Sequence, residues 1–189
     1  LLLWRHPVNY LIPDCMQPTA QKPVQPGEFF NAVRASNLEL MKELLARGAH
    51  VNERDNVGNT PLMYVSGSTS YPVKFAQLLL DSGALIDEQS NSRNTALILA
   101  SAVNNIATAK LLLERGADLD KRNTRDLTAE EIARNWDHTE IVKLIAQAID
   151  TRRKIAEEKA KIDAAHDQAL KSQQELKEKA QRRHRPPSL

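Results

Sequence analysis

The stretch GNTPLMYVSG, residues 58–67, is restated as RNTALILASA at 93–102 and, in worn form, as DLTAEEIARN at 126–135. The threonines inside it, Thr60, Thr95 and Thr128, step by 35 and 33 residues. A second marker, Gly-Ala at 48–49, 83–84 and 116–117, steps by the same intervals. Two markers recurring in phase at about 33 residues define a structural repeat.

Each copy carries its own helix signals. The threonine hydroxyl suits an N-cap, where it accepts an orphan backbone N–H. Pro61 follows at the first helical position, where a missing N–H costs nothing. Thr128 with Glu131 reads as a capping box, and Asp137 with Glu140 as a similar pair. The last copy therefore starts one helix near residue 129 and a second near 138. Leucine-rich helix ends, KELLARGA, QLLLDSGA and KLLLERGA, run into each Gly-Ala, where the glycine supplies a left-handed C-cap. The pieces that follow, HVNERDN, LIDEQSN and DLDKRNT, run out as extended fingers. Each unit reads helix, turn, helix, finger.

This pattern resembles the ankyrin repeat, whose consensus is roughly G-x-T-P-L-H-x-A-A, then a second helix ending L-L-x-x-G-A-D-V-N. Gly58–Leu62 and Leu111–Asp120 match it closely. Counting back from Gly48 places a first unit at Gly27, without Thr-Pro. The resemblance covers residues 27–149 in units of about 27–57, 58–92, 93–125 and 126–149. It implies an all-α solenoid of helix-turn-helix units with extended β-hairpin fingers. Three departures stand out. Two extra residues fall within SGSTSYP, 66–72. Ala129-Glu130-Glu131 replaces Pro-Leu-His, which suits a C-terminal cap with a wet outer face. Phe29 and Phe30 are expected to close the other end. The family usually carries His after Thr-Pro-Leu, as a polar clasp to the neighbouring finger. Met63 and Ile98 cannot clasp, so apolar contact between units is expected instead.

The 189 residues are 41% hydrophobic but only 4% aromatic, so the core must be built from Leu, Ile, Val and Ala. Residues 1–26 hold five of the nine prolines and read as an extended, disordered arm. The single cysteine, Cys15, excludes an internal disulfide framework or a Cys-rich zinc site. It fits a reducing, cytoplasmic setting. LIPDC, 11–15, faintly resembles a lipoprotein attachment site, although Asp14 stands where a small residue is usual. An exported or lipid-anchored chain with an upstream signal is the alternative. No run of 18 apolar residues could span a membrane.

Beyond residue 150 neither Gly nor Pro occurs until Pro186, and acid-first pairs such as Glu157/Lys161 and Asp167/Lys171 recur at i,i+4. A charged helical extension is expected over 150–185, with a frayed tail at 186–189. Ile155, Ile162, Ala169 and Leu176 fall seven apart, as one seam of a coiled coil. The other seam offers Glu158, Ala165, Ser172 and Lys179, which is poor. A solvated single helix is the expectation, with weak self-association through 150–180 as the alternative.

No phosphate-binding loop, H-E-x-x-H helix or nucleophile elbow is present, and the five histidines share no ligand spacing. Catalytic residues, cofactor and metal are therefore expected to be absent, and the chain is read as non-enzymatic. Residues 27–149 carry a net charge of −3 and residues 150–189 a net of +4. That balance points to a protein partner, of unknown identity, rather than to nucleic acid. Ankyrin-like stacks generally bind partners on a concave face made of finger tips and first-helix surfaces. Carried over residue by residue, the resemblance implies finger-tip contacts at Asn56, Val57, Asn59, Asn91, Ser92, Asn94, Thr124, Arg125 and Leu127. It implies first-helix contacts at Arg34, Ser68, Ala102, Val103, Asn135 and Trp136. Trp136 is the sharpest of these, because Trp is over-represented among binding hot spots. Its alternative is packing against the C-terminal helix. Tyr64 and Tyr71 flank the insertion and either extend the same face or pack locally. The runner-up function is a structural protein assembled through the C-terminal helix.

Overall fold

The computed structural model describes residues 23–183. The arm up to residue 22, with Cys15, and the tail at 186–189 lie outside the described residues. Within them the chain forms α1 (Glu28–Arg34), α2 (Leu38–Ala46), α3 (Pro61–Ser66), α4 (Val73–Asp81), α5 (Ala96–Ala102), α6 (Ile106–Glu114), α7 (Ala129–Asn135) and α8 (Thr139–Arg183). Helices pair in chain order. The first helix of each pair packs on the next first helix, and α4, α6 and α8 stack in the same way. The result is an all-α solenoid with a long C-terminal helix.

Local chemistry sets where each element starts and stops. Thr60, Thr95 and Thr128 occupy N-cap positions, and their hydroxyls accept the amides of Met63, Ile98 and Glu131 at 3.2–3.3 Å. The second helices α2, α4 and α6 stop at Gly48, Gly83 and Gly116, with φ of 87–90°. The amide of the alanine after each glycine then reaches back into the helix, to Leu44, Leu79 and Leu112, at 2.9–3.0 Å. These bonds satisfy carbonyls that the helix end would otherwise leave bare.

The fourth pair lacks that stop. Another step of 33 residues would place Gly-Ala at 149–150, where the chain has Ile149 and Asp150. Ile149 stands at the glycine position, and a β-branched side chain does not suit the left-handed conformation, so α8 runs on to 45 residues, against nine in α6. Its length is about 68 Å.

The capping box of Thr128 and Glu131 is present. The expected pairing of Asp137 with Glu140 is not. Asp137 has φ 56°, like Ser36 and Asn104 at the corresponding turns, so it is the left-handed residue between helices. The cap position is the next residue. Asn37 and Asn105 fill it in α2 and α6 and accept the amides of Leu40 and Thr108. His138 stands there in the last repeat.

The first unit has no threonine to start α1. Gly27 sits at the N-cap and offers no side chain. Glu53, from the first finger, substitutes for it: one carboxylate oxygen accepts the Gly27 amide at 3.1 Å and the other accepts the Phe30 amide. A negative charge also suits a helix N-terminus.

Phe29, Met41, Leu44, Leu62, Leu79, Leu97, Leu112, Ile141 and Ile145 form the core through the length of the stack. Met63 and Ile98 are 1% and 2% exposed and belong to it. Burying one such side chain contributes ~1.5–3 kcal/mol. Phe29 and Phe30 are both buried. Phe30, Tyr64, Tyr71 and Phe75 form an edge-to-face chain with centroids 5.4–5.9 Å apart. Tyr64 and Tyr71 thus pack locally.

Candidate protein-binding face

The fingers span residues 49–59, 84–94 and 117–127. No strand forms among the described residues, so each hairpin is reduced to its tip. The amides of Asp55, Ser90 and Asn123 donate to the carbonyls of Asn59, Asn94 and Leu127 at 3.0–3.1 Å. The side chains of the same three residues fold back on amides of their own tips.

Neighbouring fingers are tied by a row of side chains at one repeat position. Arg54 donates to the Gly58 carbonyl of its own finger at 2.9 Å and to the Gln89 carbonyl of the next at 2.8 Å. Gln89 does the same to Arg93 at 2.7 Å and Arg122 at 3.0 Å. Arg122 binds the Asp126 carbonyl and, having no further finger to reach, turns to the Glu131 carboxylate at 3.1 Å. Backbone bonds from Asn91 to Val57 and from Thr124 to Ser92 join the tips themselves. Where the first finger meets the second, a Cβ placed on Gly58 would lie 2.9 Å from the Asn91 backbone nitrogen.

The helix ends are tied by a second row. Tyr71 Oη, Asn105 Nδ2 and His138 Nδ1 each meet a carbonyl 37 residues earlier, of Arg34, Ser68 and Ser101, at 3.4, 2.9 and 2.7 Å. The polar link between repeats thus lies at the start of the second helix, while Met63 and Ile98 remain in the core.

These two rows sort the candidate residues. Asn56, Val57, Asn91, Ser92, Thr124 and Arg125 are exposed at the tips. Asn59, Asn94 and Leu127 are half-buried, and their carbonyls close the fingers. Among the helix ends, Ser68 and Ala102 are half-buried, while Val103, Asn135 and Trp136 are exposed. Trp136 is 64% exposed, so most of its surface is open to solvent. Val103 and Trp136 hold the same position, the C-cap, on α5 and α7, which pack together. Arg34 lies over the Phe30 ring, 4.8 Å from its centroid, and 4.0 Å from the Asp55 carboxylate. That contact brings the first finger to the end of α1. The Arg54, Gln89 and Arg122 row escaped the sequence reading. Its signal was a long donor side chain recurring at steps of 35 and 33. No cluster of His, Cys, Asp or Glu suited to a metal ion occurs among the described residues.

A family model described as ankyrin repeats (3 copies) matches residues 29–123 and again 74–155. This chain is an ankyrin-repeat protein. Among curated relatives of this ankyrin-repeat protein, mouse Ankyrin repeat and SAM domain-containing protein 6 is 31% identical over 148 residues, which is 76% of the chain and 16% of the relative. Its rat counterpart is 36% identical over 143 residues, 73% of the chain and 16% of the relative. Ankyrin repeat and KH domain-containing protein mask-1 of Caenorhabditis elegans is 33% identical over 124 residues, 65% of the chain and 5% of the relative. The chain therefore spans a small part of each. Ankyrin repeats are in general protein-interaction modules, and the family is generally non-enzymatic. Among the described residues no helix is long and apolar enough to cross a membrane.

Proposed function

We propose that this ankyrin-repeat protein is a non-enzymatic adaptor that holds a protein partner on the face bordered by its finger tips and first-helix ends. The observation that carries this reading is the exposed apolar pair Val103 and Trp136, in register on consecutive repeats, in a stack whose tips Val57, Ser92 and Arg125 are also exposed. Trp and Arg are enriched among binding hot spots. The double variant Trp136→Ala, Arg125→Glu should lose at least tenfold of its capture of partner in a pull-down, with helical circular dichroism unchanged. Undiminished capture by this variant would assign partner binding to another surface.

A second reading has its own observation. Ile155, Ile162 and Leu176 are 61–66% exposed on a helix that has left the stack. A row of large apolar side chains in water favours a role for α8 in assembly. Cytoplasmic residence suits both readings.

A further inference from the structure

The finger tips occupy equivalent positions, 54–58, 89–93 and 122–126, and end in Gly58, Arg93 and Asp126. All three of these residues are left-handed, with φ of 79°, 57° and 59°. Glycine suits that conformation because it lacks a Cβ, and aspartate is among the side chains that tolerate it. Arginine has no such advantage. The other left-handed residues that are not glycine, Ser36, Asn104 and Asp137, are short and polar like Asp126. Arg93 is the one long side chain held this way among the described residues.

The fold makes no use of that side chain. The Arg93 amide donates to the Ser90 carbonyl at 2.8 Å, and its carbonyl accepts Gln89 Nε2 at 2.7 Å; a glycine could make both bonds. Among the described residues its exposed guanidinium meets no carboxylate, carbonyl or ring. Arg34, Arg54 and Arg122 are instead engaged by Asp55, Glu88 and Glu131. Arg125 is in the same state as Arg93: it is exposed, and only its amide is bonded, to Asn123 Oδ1 at 2.9 Å. The two are neighbours. The Thr124 amide donates to the Ser92 carbonyl at 3.0 Å, and each arginine follows one end of that bond. Acids close to the tips are committed elsewhere. Glu53 holds amides of Gly27 and Phe30, Asp55 holds amides of its own tip, and Asp126 lies 3.9 Å from Arg122.

A costly backbone conformation persists where the side chain it carries serves a site. We propose that Arg93 and Arg125 form a pair that takes the carboxylates of an acidic segment of the protein partner; this rests on the adaptor reading above. The planar guanidinium matches a carboxylate with two parallel hydrogen bonds. Two cations on consecutive fingers suit a short acidic run. A nucleic-acid strand needs a continuous basic track, and here it would meet a repeat body of net charge −3 on either side.

The test titrates the full chain, at low salt, with a fluorescent oligoglutamate peptide, the same peptide with Gln for Glu, and single-stranded DNA. Oligoglutamate should bind with a Kd below about 1 mM, and the Gln peptide should not. Arg93→Gly should weaken binding about fivefold, and Arg93→Gly with Arg125→Gln at least tenfold. Arg93→Gly should also unfold no earlier than the native chain, since glycine relieves the backbone. A lowered unfolding midpoint would assign Arg93 to the fold and overturn the proposal, as would oligoglutamate binding that the double variant retains. Tighter, Arg93-dependent binding of DNA would overturn the carboxylate class. Partner capture lost in the double variant, without oligoglutamate binding by the native chain, would overturn the acidic segment and leave the adaptor reading standing. Capture and peptide binding both undiminished by the double variant would overturn the proposal and the tip face together.

Discussion

Asn105 performs two tasks that are usually divided. Its Oδ1 accepts the Thr108 amide at the start of α6, and its Nδ2 donates to the Ser68 carbonyl of the preceding repeat. It is 7% exposed, so neither bond is shared with bulk water. A lost cap costs ~1 kcal/mol and a lost buried hydrogen bond ~1 kcal/mol more. Asn105→Ala should therefore lower unfolding stability by about 2 kcal/mol. Asn105→Asp keeps the cap and loses the donor, so it should fall between. Denaturant titration of the three chains decides; equal losses in both variants would refute the division. Asn105 also marks the limit of legibility at this scale. A cap declares itself through its neighbours in sequence, as Thr60, Thr95 and Thr128 did. The Ser68 contact lies a whole repeat away, as do the bonds of Arg54 to Gln89 and of Gln89 to Arg122, and Glu53 reaches back across its own unit to Gly27 and Phe30. Arg54 and Gln89 share a function and little chemistry, and Glu53 replaces a residue type that the first unit lacks.

The elements show why boundaries were legible and one cap was not. Start and stop signals are local, so glycine, threonine and proline placed the helices closely. Asp137 misled because Asp serves both as an N-cap and as a left-handed turn residue, and only the backbone separates the two. The same scale fixes a pH response. The Thr128 amide donates to the Glu131 carboxylate at 2.7 Å. That bond, with the Thr128 hydroxyl and the Arg122 charge behind it, holds Glu131 below the usual carboxylate range. A carboxyl that is more acidic folded than unfolded stabilises the folded chain above its unfolded pKa, about 4.3, and loses that contribution as pH falls through the folded value. The stability difference between the native chain and Glu131→Gln should hold steady from about pH 7 to pH 5 and shrink below about pH 4. Denaturation midpoints across that range test it, and a difference independent of pH would assign the role of Glu131 to geometry alone.

The whole molecule divides into a cooperative stack and a rod. In the stack each repeat touches only its neighbours, so stability is close to a sum of unit and interface terms. The finger row and the helix-end row are the polar part of those interfaces, and the core is the apolar part. The rod beyond Arg152 takes no share. A chain ended after Arg153 should unfold within ~0.5 kcal/mol of the full chain, measured where both are monomeric. A larger loss would reveal a contact between the rod and the stack. Repetition and local caps made the helix-turn-helix units legible, and the resemblance to ankyrin repeats supplied the solenoid. The reach of α8 also follows from the sequence, through a glycine that the period requires and the chain omits.

Omitting that glycine also sets an angle. Because α8 leaves the stack as one unbroken helix, every residue beyond Arg152 has a fixed bearing around the rod axis relative to the finger row. Deleting a single residue there would turn everything downstream by about 100° and draw it in by about 1.5 Å. Deleting seven would shift the bearing by only about 20°. The residue count between Arg152 and Ile155 is thus a setting for the compass direction of the apolar stripe.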